Sequence, residues 1–433
     1  MIFFKRHPAN FDIFISLFGL NVCSLITYFY QIVITEAYTG VLPITQVIEV
    51  GYWLICVLWI FLITIIFPKK ISRPSDLFIL VYLLGAVIWN ATFWPITGLL
   101  SGYKALILLA ILLFPVVVIK LLQSSFDRLF KFKHPYPQLK INLGIFRFIA
   151  FLLVLTVISS YKIAGQNGSF GNDYLRRLLG RAIFNDHLLI AYLFEMCTNG
   201  VAPFLAFLSG VRKSFFYLIV AIFFSIYVFW LLGIKSAILI SVLMFYIGYL
   251  VRAELFKNLP KYLINIMMLF FILSFIEFYV NNHSLIVEYG FRRAAMVVAK
   301  IQAYFFDAMW SMDGLSFFWS GLDYKNLKSP GFLIGLNYSG SAETNANVNA
   351  YQHQIAMNGL FGYLLVVIGI SIYVLFLDYL LAIKKNIYTY GLSFIFAFLL
   401  IEQSFTTALL SSAMFLCLLF TIILSSKTIM KKI

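Results

Sequence analysis

The chain has 433 residues, 62% of them hydrophobic and only 11% charged, with a mean hydropathy of +0.95. Too little polar surface is present to cover a water-soluble core, so a soluble domain is excluded. The formal net charge of +15 is spread over separate short loops, which marks topology rather than a nucleic-acid surface, and no nucleic-acid partner is expected.

About twenty residues of apolar helix cross the hydrocarbon of a bilayer. Twelve apolar runs near or above that length recur in chain order, at 11–31, 48–67, 77–95, 105–122, 141–160, 187–209, 215–232, 236–251, 262–280, 353–381, 388–405 and 407–425. They predict an all-α polytopic membrane protein of about 12 transmembrane helices, one integral membrane domain over residues 1–433. The first run lacks a small-residue cleavage pattern and should be retained as a helix. Cys23, Cys56, Cys197 and Cys417 all fall within apolar runs and read as small hydrophobic residues. Phosphate-binding glycine loops, paired-histidine and paired-cysteine metal motifs, and Asp-rich clusters are all missing, so neither a cofactor nor a metal is expected. No internal repeat is evident, which disfavours carriers built from duplicated halves.

Lys and Arg in short loops are retained on the cytoplasmic side. An N-terminus inside places 20 of the 32 there, in the loops around 5–6, 69–73, 120–140, 212–213, 252–261, 384–385 and 427–432. Five acids share that side, Asp12, Asp76, Asp127, Glu254 and Asp378, leaving +15, the formal charge of the whole chain. Both termini are then cytoplasmic. The short loops 32–47, 96–104 and 232–236 face outward, as do two long ones, 161–186 and 281–352, the second partly helical.

A cation outside runs against this bias and is a candidate for ligand binding. Loop 161–186 carries Arg176, Arg177 and Arg181; the last two share a face if residues 174–184 form a short helix. That helix either holds a ligand or rests on lipid headgroups. Residues 288–310 read as a helix along the outer interface, with Arg293, Lys300 and Asp307 spaced by sevens on one side. Lys300 is assigned to lipid contact there, and the adjacent Arg292 and Arg293 to a ligand. Lys235, in the tight turn Gly233-Ile-Lys235-Ser236, is either a snorkelling lysine or a cation at the outer mouth of the bundle.

Glu195 and Glu402 are costly in hydrocarbon and should face the bundle interior or water. Glu195, with His187 and Asn199 one or two turns away, makes either a reactive stripe or a packed polar network. The second outer loop closes on Asn345-Ala-Asn-Val-Asn349, ahead of His353 and Gly359-Leu-Phe-Gly362.

In order along the chain, the cationic turn at Lys235, the segment Tyr289-Gly-Phe-Arg-Arg293 and the Asn-rich run before a span resemble the Wzy-type O-antigen polymerases. The likeness extends over nearly the whole chain in span count, basic inner loops and two arginine-bearing outer loops. It implies a membrane glycosyltransferase of lipopolysaccharide biosynthesis at the periplasmic face of the bacterial inner membrane. Its substrate would be a polyprenyl-pyrophosphate-linked oligosaccharide of the undecaprenyl type, amid membrane lipids and with a chain-length regulator protein as partner. The related O-antigen ligases show a His followed by Asn, Ser or Gln, then nine residues before a Gly. Counting back from Gly359 reaches Val348 and Asn349, so that histidine is missing; His353, one turn on, is either a displaced substitute or a polar residue at a helix start.

Such transfer needs cations at the leaving phosphates and a base for the attacking hydroxyl. Arg293 and Arg292 suit the first, because a guanidinium fork pairs with phosphate oxygens and stays ionised. His353, Glu195 and His187 are the candidate bases, in that order. Arg176, Arg177, Arg181, Lys235, Asn345 and Asn349 are assigned to substrate binding, without a metal. A lipid-linked oligosaccharide flippase is the rival from another class, and it needs no seventy-residue outer loop.

Overall fold

The computed structural model describes residues 9–34, 50–98, 100, 102–129, 143–171, 176, 179–180, 182–184, 186–253, 255–311, 315–318, 322, 329–340 and 344–424. Among these residues every regular element is helical. Among the described residues nine helices are long and apolar enough to cross a membrane: Phe11–Gln31, Pro74–Trp94, Gly102–Ser125, Gly144–Asn167, Leu188–Arg212, Phe215–Leu232, Leu255–Asn281, Ala350–Lys384 and Phe405–Ile423. Shorter apolar helices occupy Trp53–Ile66, Ser236–Arg252 and Thr389–Leu399. The protein is thus a polytopic helical membrane protein.

Each of the twelve predicted apolar runs contains a helix among the described residues, but 388–405 and 407–425 are broken by turns at 400–402 and 410–412. Thr389–Leu399, with 11 residues, rises only about 16 Å, roughly half of the hydrocarbon thickness. Nearly all of it is buried, and turns at 400–402 follow, with Leu400 fully enclosed. Irregular backbone of this kind is tolerated where surrounding protein, rather than lipid, covers it.

Pro74–Trp94 is the central helix. Pro74 opens it at a position where a missing N–H is harmless, and residues 74–82 are all buried, as an all-round apolar helix must be. Trp94 packs edge-on against Trp59 at 4.7 Å, and Tyr28 lies 4.8 Å from Phe93. The carboxylate of Asp378 accepts the Ser75 N–H at 2.9 Å and the Ser75 hydroxyl at 2.5 Å, a counter-charge at the positive end of the central helix. Elsewhere Gly210 and Gly248 let two helices cross backbone to backbone: a Cβ on Gly248 would stand 2.2 Å from the Phe207 carbonyl oxygen.

The polar ties sort the loops into two ends. At one, the Ile71 N–H meets the Lys257 carbonyl (3.1 Å), Lys120 pairs with Asp76 (3.4 Å), and the Tyr390 hydroxyl donates to the Ser72 carbonyl (2.9 Å). At the other, the Ala350 N–H meets the Leu400 carbonyl (2.9 Å) and the Leu322 N–H that of Ala356 (2.7 Å). Of the loops predicted to be basic and cytoplasmic, the described residues of 69–73, 212–213, 252–261 and 384–385 gather at the first end, and the described residues of the 281–352 loop at the second. That loop contains a π-helical segment Val287–Met296 and the helices Val297–Ser311 and Pro330–Ser339. Arg177, Arg181, Lys325 and Lys328 lie outside the described residues.

Candidate functional site

The helix that begins at Ala350 is broken in its third turn. Asn358 (φ −137°) and Gly359 (φ +66°, ψ −165°) are not helical, a pair of angles at Gly359 that only glycine adopts at ease. The break frees the N–H groups of Leu360 and Phe361, which the carbonyls of Ser316 and Phe317 accept at 3.0 and 2.9 Å. A Cβ on Gly359 would stand 2.6 Å from the Ser316 oxygen. His353 therefore sits on a leading half-helix, and the long apolar span starts at Leu360.

Asn349 starts that half-helix. Its Oδ1 accepts the N–H groups of Tyr351 (3.2 Å) and Gln352 (3.0 Å), and its Nδ2 donates to Gln352 Oε1 at 2.6 Å. Gln352 Nε2 in turn donates to the Gln302 carbonyl at 2.9 Å, while the Gln302 side chain accepts from Asn90 (2.8 Å) and donates to the Ala86 carbonyl (3.0 Å). All four side chains are buried. Assigned to substrate from its sequence context, Asn349 is placed here as the cap that fixes the half-helix to the bundle. Asn345 is exposed, with its Oδ1 over Gly331.

One residue past Gln352, the His353 ring is part-exposed, while its Nδ1 is buried without a hydrogen-bond partner. In a neutral imidazole one nitrogen donates and the other accepts, and with Nδ1 sealed it is the exposed edge of the ring that is open to a ligand.

The helix that carries Gln302 is continuous with the arginine pair. Arg292 lies in the π-helical segment, a local geometry frequent at functional sites, and its Nη1 is 2.8 Å from Glu288 Oε1. Phe291 stacks on Phe271 at 4.3 Å and fixes the segment to Leu255–Asn281. The backbone of Arg293 belongs to the same segment; its side chain is outside the described residues. Val297–Ser311 packs into the bundle, with Trp94 Nε1 donating to the Ala299 carbonyl at 3.4 Å. One side of it is buried against the bundle, and the side with Lys300, Tyr304 and Asp307 is part-exposed.

The side spaced by sevens stays open. Asp307 accepts from Lys104 and from the Tyr338 hydroxyl, each at 3.0 Å, and its side chain remains 39% exposed. Tyr304 stacks on Tyr338 at 4.4 Å, the Lys300 ammonium lies 5.5 Å from the Tyr304 ring centre, and Trp310 meets Tyr103 at 5.7 Å. Burial, with Asp307 as acceptor and neighbouring charge, holds the Tyr338 phenol well above its ordinary pKa, so it remains a donor; burial lowers that of Lys300. Aromatic faces around a part-exposed carboxylate and ammonium are suited to polyhydroxylated ligands. Lys104 and Tyr338 escaped the sequence reading, although Lys104 is one more cation placed outside against the topological bias. Gln302 and Gln352 carry no sequence signal, since their partnership spans 50 residues.

Arg176 and Lys235 share a different corner. Arg176 is buried; its Nη1 donates to the carbonyls of Phe229 and Trp230, both at 2.8 Å, and to that of Ser169. Those carbonyls end Phe215–Leu232, where a cation also meets the negative pole of the helix. Lys235 is exposed in the turn that follows. Glu195 lies on an exposed side of its helix beside Tyr192, whereas Asn199 turns to Ser412 at 3.4 Å, so the expected stripe is divided. Among the described residues no three His, Cys, Asp or Glu side chains come together. Comparison of the chain with family models, curated proteins and solved structures gives no match in any of the three.

Proposed function

We propose that the protein is a glycan polymerase, an enzyme that joins polyprenyl-pyrophosphate-linked oligosaccharide repeat units into O-antigen or a related surface polysaccharide. The observation that carries this reading is His353, whose ring is part-exposed and whose half-helix hangs, through Gln352 and Gln302, from the helix that continues the arginine pair. In this reading twelve crossings put both termini in the cytoplasm of a bacterial cell and the 287–357 assembly at the periplasmic face of the inner membrane. The lipid carrier is of the undecaprenyl class, and a chain-length regulator is the protein partner.

The chemistry follows from these positions. An acceptor sugar hydroxyl attacks the anomeric carbon of the donor; the bond from that carbon to the pyrophosphate oxygen breaks, and its electron pair leaves with the phosphate. His353 takes the hydroxyl proton and later gives it to water. Arg292 and Arg293 offset the charge that grows on the leaving phosphates. Asp307, with Tyr338 and Lys104 beside it from two other helices, holds sugar hydroxyls.

The test uses the purified protein in liposomes with a synthetic undecaprenyl-pyrophosphate oligosaccharide. A ladder of extended products is the expected result. Translocation without extension assigns the protein to the flippases, and product formed only when a lipid A core acceptor is added assigns it to the ligases.

A further inference from the structure

The last apolar stretch of the chain is a hairpin that enters and leaves the bundle on one side. Its first arm is Thr389–Leu399: Ser393 donates to the Pro74 carbonyl at 2.5 Å, at the end that gathers the basic loops, and Leu400 stands seven residues, or about 10 Å, further in. Its second arm is Met414–Leu424. The Thr421 carbonyl accepts from Asn386 at 2.8 Å at the same basic end, and the Met414 carbonyl, again about 10 Å further in, accepts from the Tyr373 hydroxyl at 3.3 Å. Between the arms, residues 400–413 turn at mid-depth. Ser412 there meets Asn199, in the middle of Leu188–Arg212, at 3.4 Å, and a Cβ on the neighbouring Gly200 would collide with the Ser412 carbonyl oxygen. Neither arm crosses alone, and the chain returns to the side on which twelve crossings would leave it.

Such a tip is tolerated at that depth only where protein or water covers it. Most of its polar groups satisfy one another. Ser404 Oγ accepts the Thr407 N–H at 3.2 Å and lies 2.8 Å from Thr407 Oγ1, and Ser412 donates to Gln403 Oε1 at 2.8 Å. Glu402 is the exception: it is exposed and, among the described residues, its carboxylate has neither an ion pair nor a donor. An unpaired carboxylate at the depth of the hydrocarbon is too costly to face lipid, so this part of the tip faces water. Thr406, also exposed, is tied into the same loop through the Ser404 hydroxyl at 3.2 Å. What the carboxylate lacks is a donor. A lone carboxylate among hydroxyls suits sugar hydroxyls better than a metal ion, which calls for several carboxylate or carbonyl oxygens. The tip also abuts the proposed chemistry, because the Ala350 N–H that opens the half-helix of His353 is donated to the carbonyl of Leu400, two residues before Glu402.

We infer that the tip at residues 400–413 is the floor of a water-filled recess at mid-membrane depth, where Glu402 accepts hydroxyls of a glycan; that this glycan is the one being extended rests on the polymerase reading above. Full-length Thr406→Cys in nanodiscs, with Ser411→Cys as a second reporter on the same loop, is treated with a charged methanethiosulfonate, which reacts from water and not from hydrocarbon. The wild type, whose own cysteines are buried or part-buried, sets the background. Ile372→Cys is the lipid-facing control, on an exposed apolar stripe with Leu365 and Ile368 and next to the Tyr373 that meets Met414. The two loop cysteines should react at least tenfold faster than the control; equal rates put the tip against lipid and overturn the proposal. A synthetic undecaprenyl-pyrophosphate oligosaccharide should protect Thr406→Cys, and undecaprenyl pyrophosphate alone should not. No protection, or equal protection by both, overturns a glycan site. Glu402→Gln, added to Thr406→Cys, breaks no side-chain contact inside the protein, and the half-protecting concentration should rise roughly tenfold, as loss of a hydrogen bond to a charged group requires. An unchanged concentration overturns Glu402 as the binding group. Protection without a ladder of extended products from the wild type keeps this site and removes the polymerase reading, whereas a ladder without protection does the reverse.

Discussion

Gln352 reaches across to the backbone carbonyl of Gln302, 2.9 Å away, and through it the half-helix that bears His353 is fixed to a helix 50 residues earlier in the chain. The Gln302 side chain is held in turn by Asn90 and Ala86, so three elements meet in one buried amide network. Such networks are strong when complete and costly when one member is missing.

Asn349 closes that network, so Asn349→Ala should destabilise the protein. The cap to the N–H groups of Tyr351 and Gln352 is lost and Gln352 Oε1 is left buried without its donor. Together these predict a loss of about 1–3 kcal/mol, read as a lower unfolding midpoint in mixed micelles. An unchanged midpoint with activity gone would return Asn349 to the substrate.

Gly359→Ala forces a side chain into a backbone conformation reserved for glycine, with its Cβ 2.6 Å from the Ser316 oxygen. The conformational penalty alone is about 1–3 kcal/mol, and relief by movement would displace His353. Both thermal stability and transfer activity should fall. Gly51→Ala, where a Cβ meets nothing within 4 Å, is the control; equal behaviour of the two variants refutes a required break at Gly359.

The two ends of the bundle can be assigned to membrane faces by thiol labelling. Asn347, at the His353 end, and Lys261, near the opposite end, are both exposed, while Cys56, Cys197 and Cys417 are buried and Cys23 is part-buried. Asn347→Cys should react with an impermeant maleimide in spheroplasts, and Lys261→Cys only after lysis. The reverse pattern turns the protein over and removes the periplasmic reading.

Much of this architecture is legible in the sequence because it rests on hydropathy and charge, which are local. Each apolar run contains a helix among the described residues, and the described basic loops collected at one end. Length was the weak point: 388–405 reads as a span, yet its main helix is only Thr389–Leu399, because buried Leu400 and Ile401 extend the apolar run into turns that end on Glu402 and Gln403. The site was legible in part. Asn349 before a helical run is a recognisable cap, but its ties to Gln352 and Gln302 depend on tertiary contact. Arg176 looked like a ligand cation because burial against the carbonyls of a distant helix leaves no trace in its own segment.

Arg292 separates charge from geometry. Its partner Glu288, 2.8 Å away, holds the guanidinium in place without covering it, the Arg292 side chain remaining 40% exposed. Arg292→Lys keeps the charge and loses the fork, and should lower polymer formation by about tenfold or more if phosphate is held bidentately. Glu288→Gln should cost less, because it frees the fork instead of removing it. Full activity of the double variant Arg292→Ala, Arg293→Ala at normal protein level takes both residues out of the site.

His353 is the sharpest test of the proposed chemistry. A general base contributes about 10² to 10⁴ in rate, so His353→Gln should stop polymer formation while single repeats accumulate. Its fold should persist, because Nδ1 makes no hydrogen bond that the substitution would break. A purely structural histidine would give the opposite, a lower unfolding midpoint with residual transfer in proportion to folded protein. Rescue decides between them: His353→Ala opens space for added imidazole, which should restore polymer in a concentration-dependent way only if the ring accepts the proton. Long polymer from His353→Gln without any additive would instead move the base to Glu195, the exposed carboxylate on Leu188–Met196, and Glu195→Gln should then be the inactive variant.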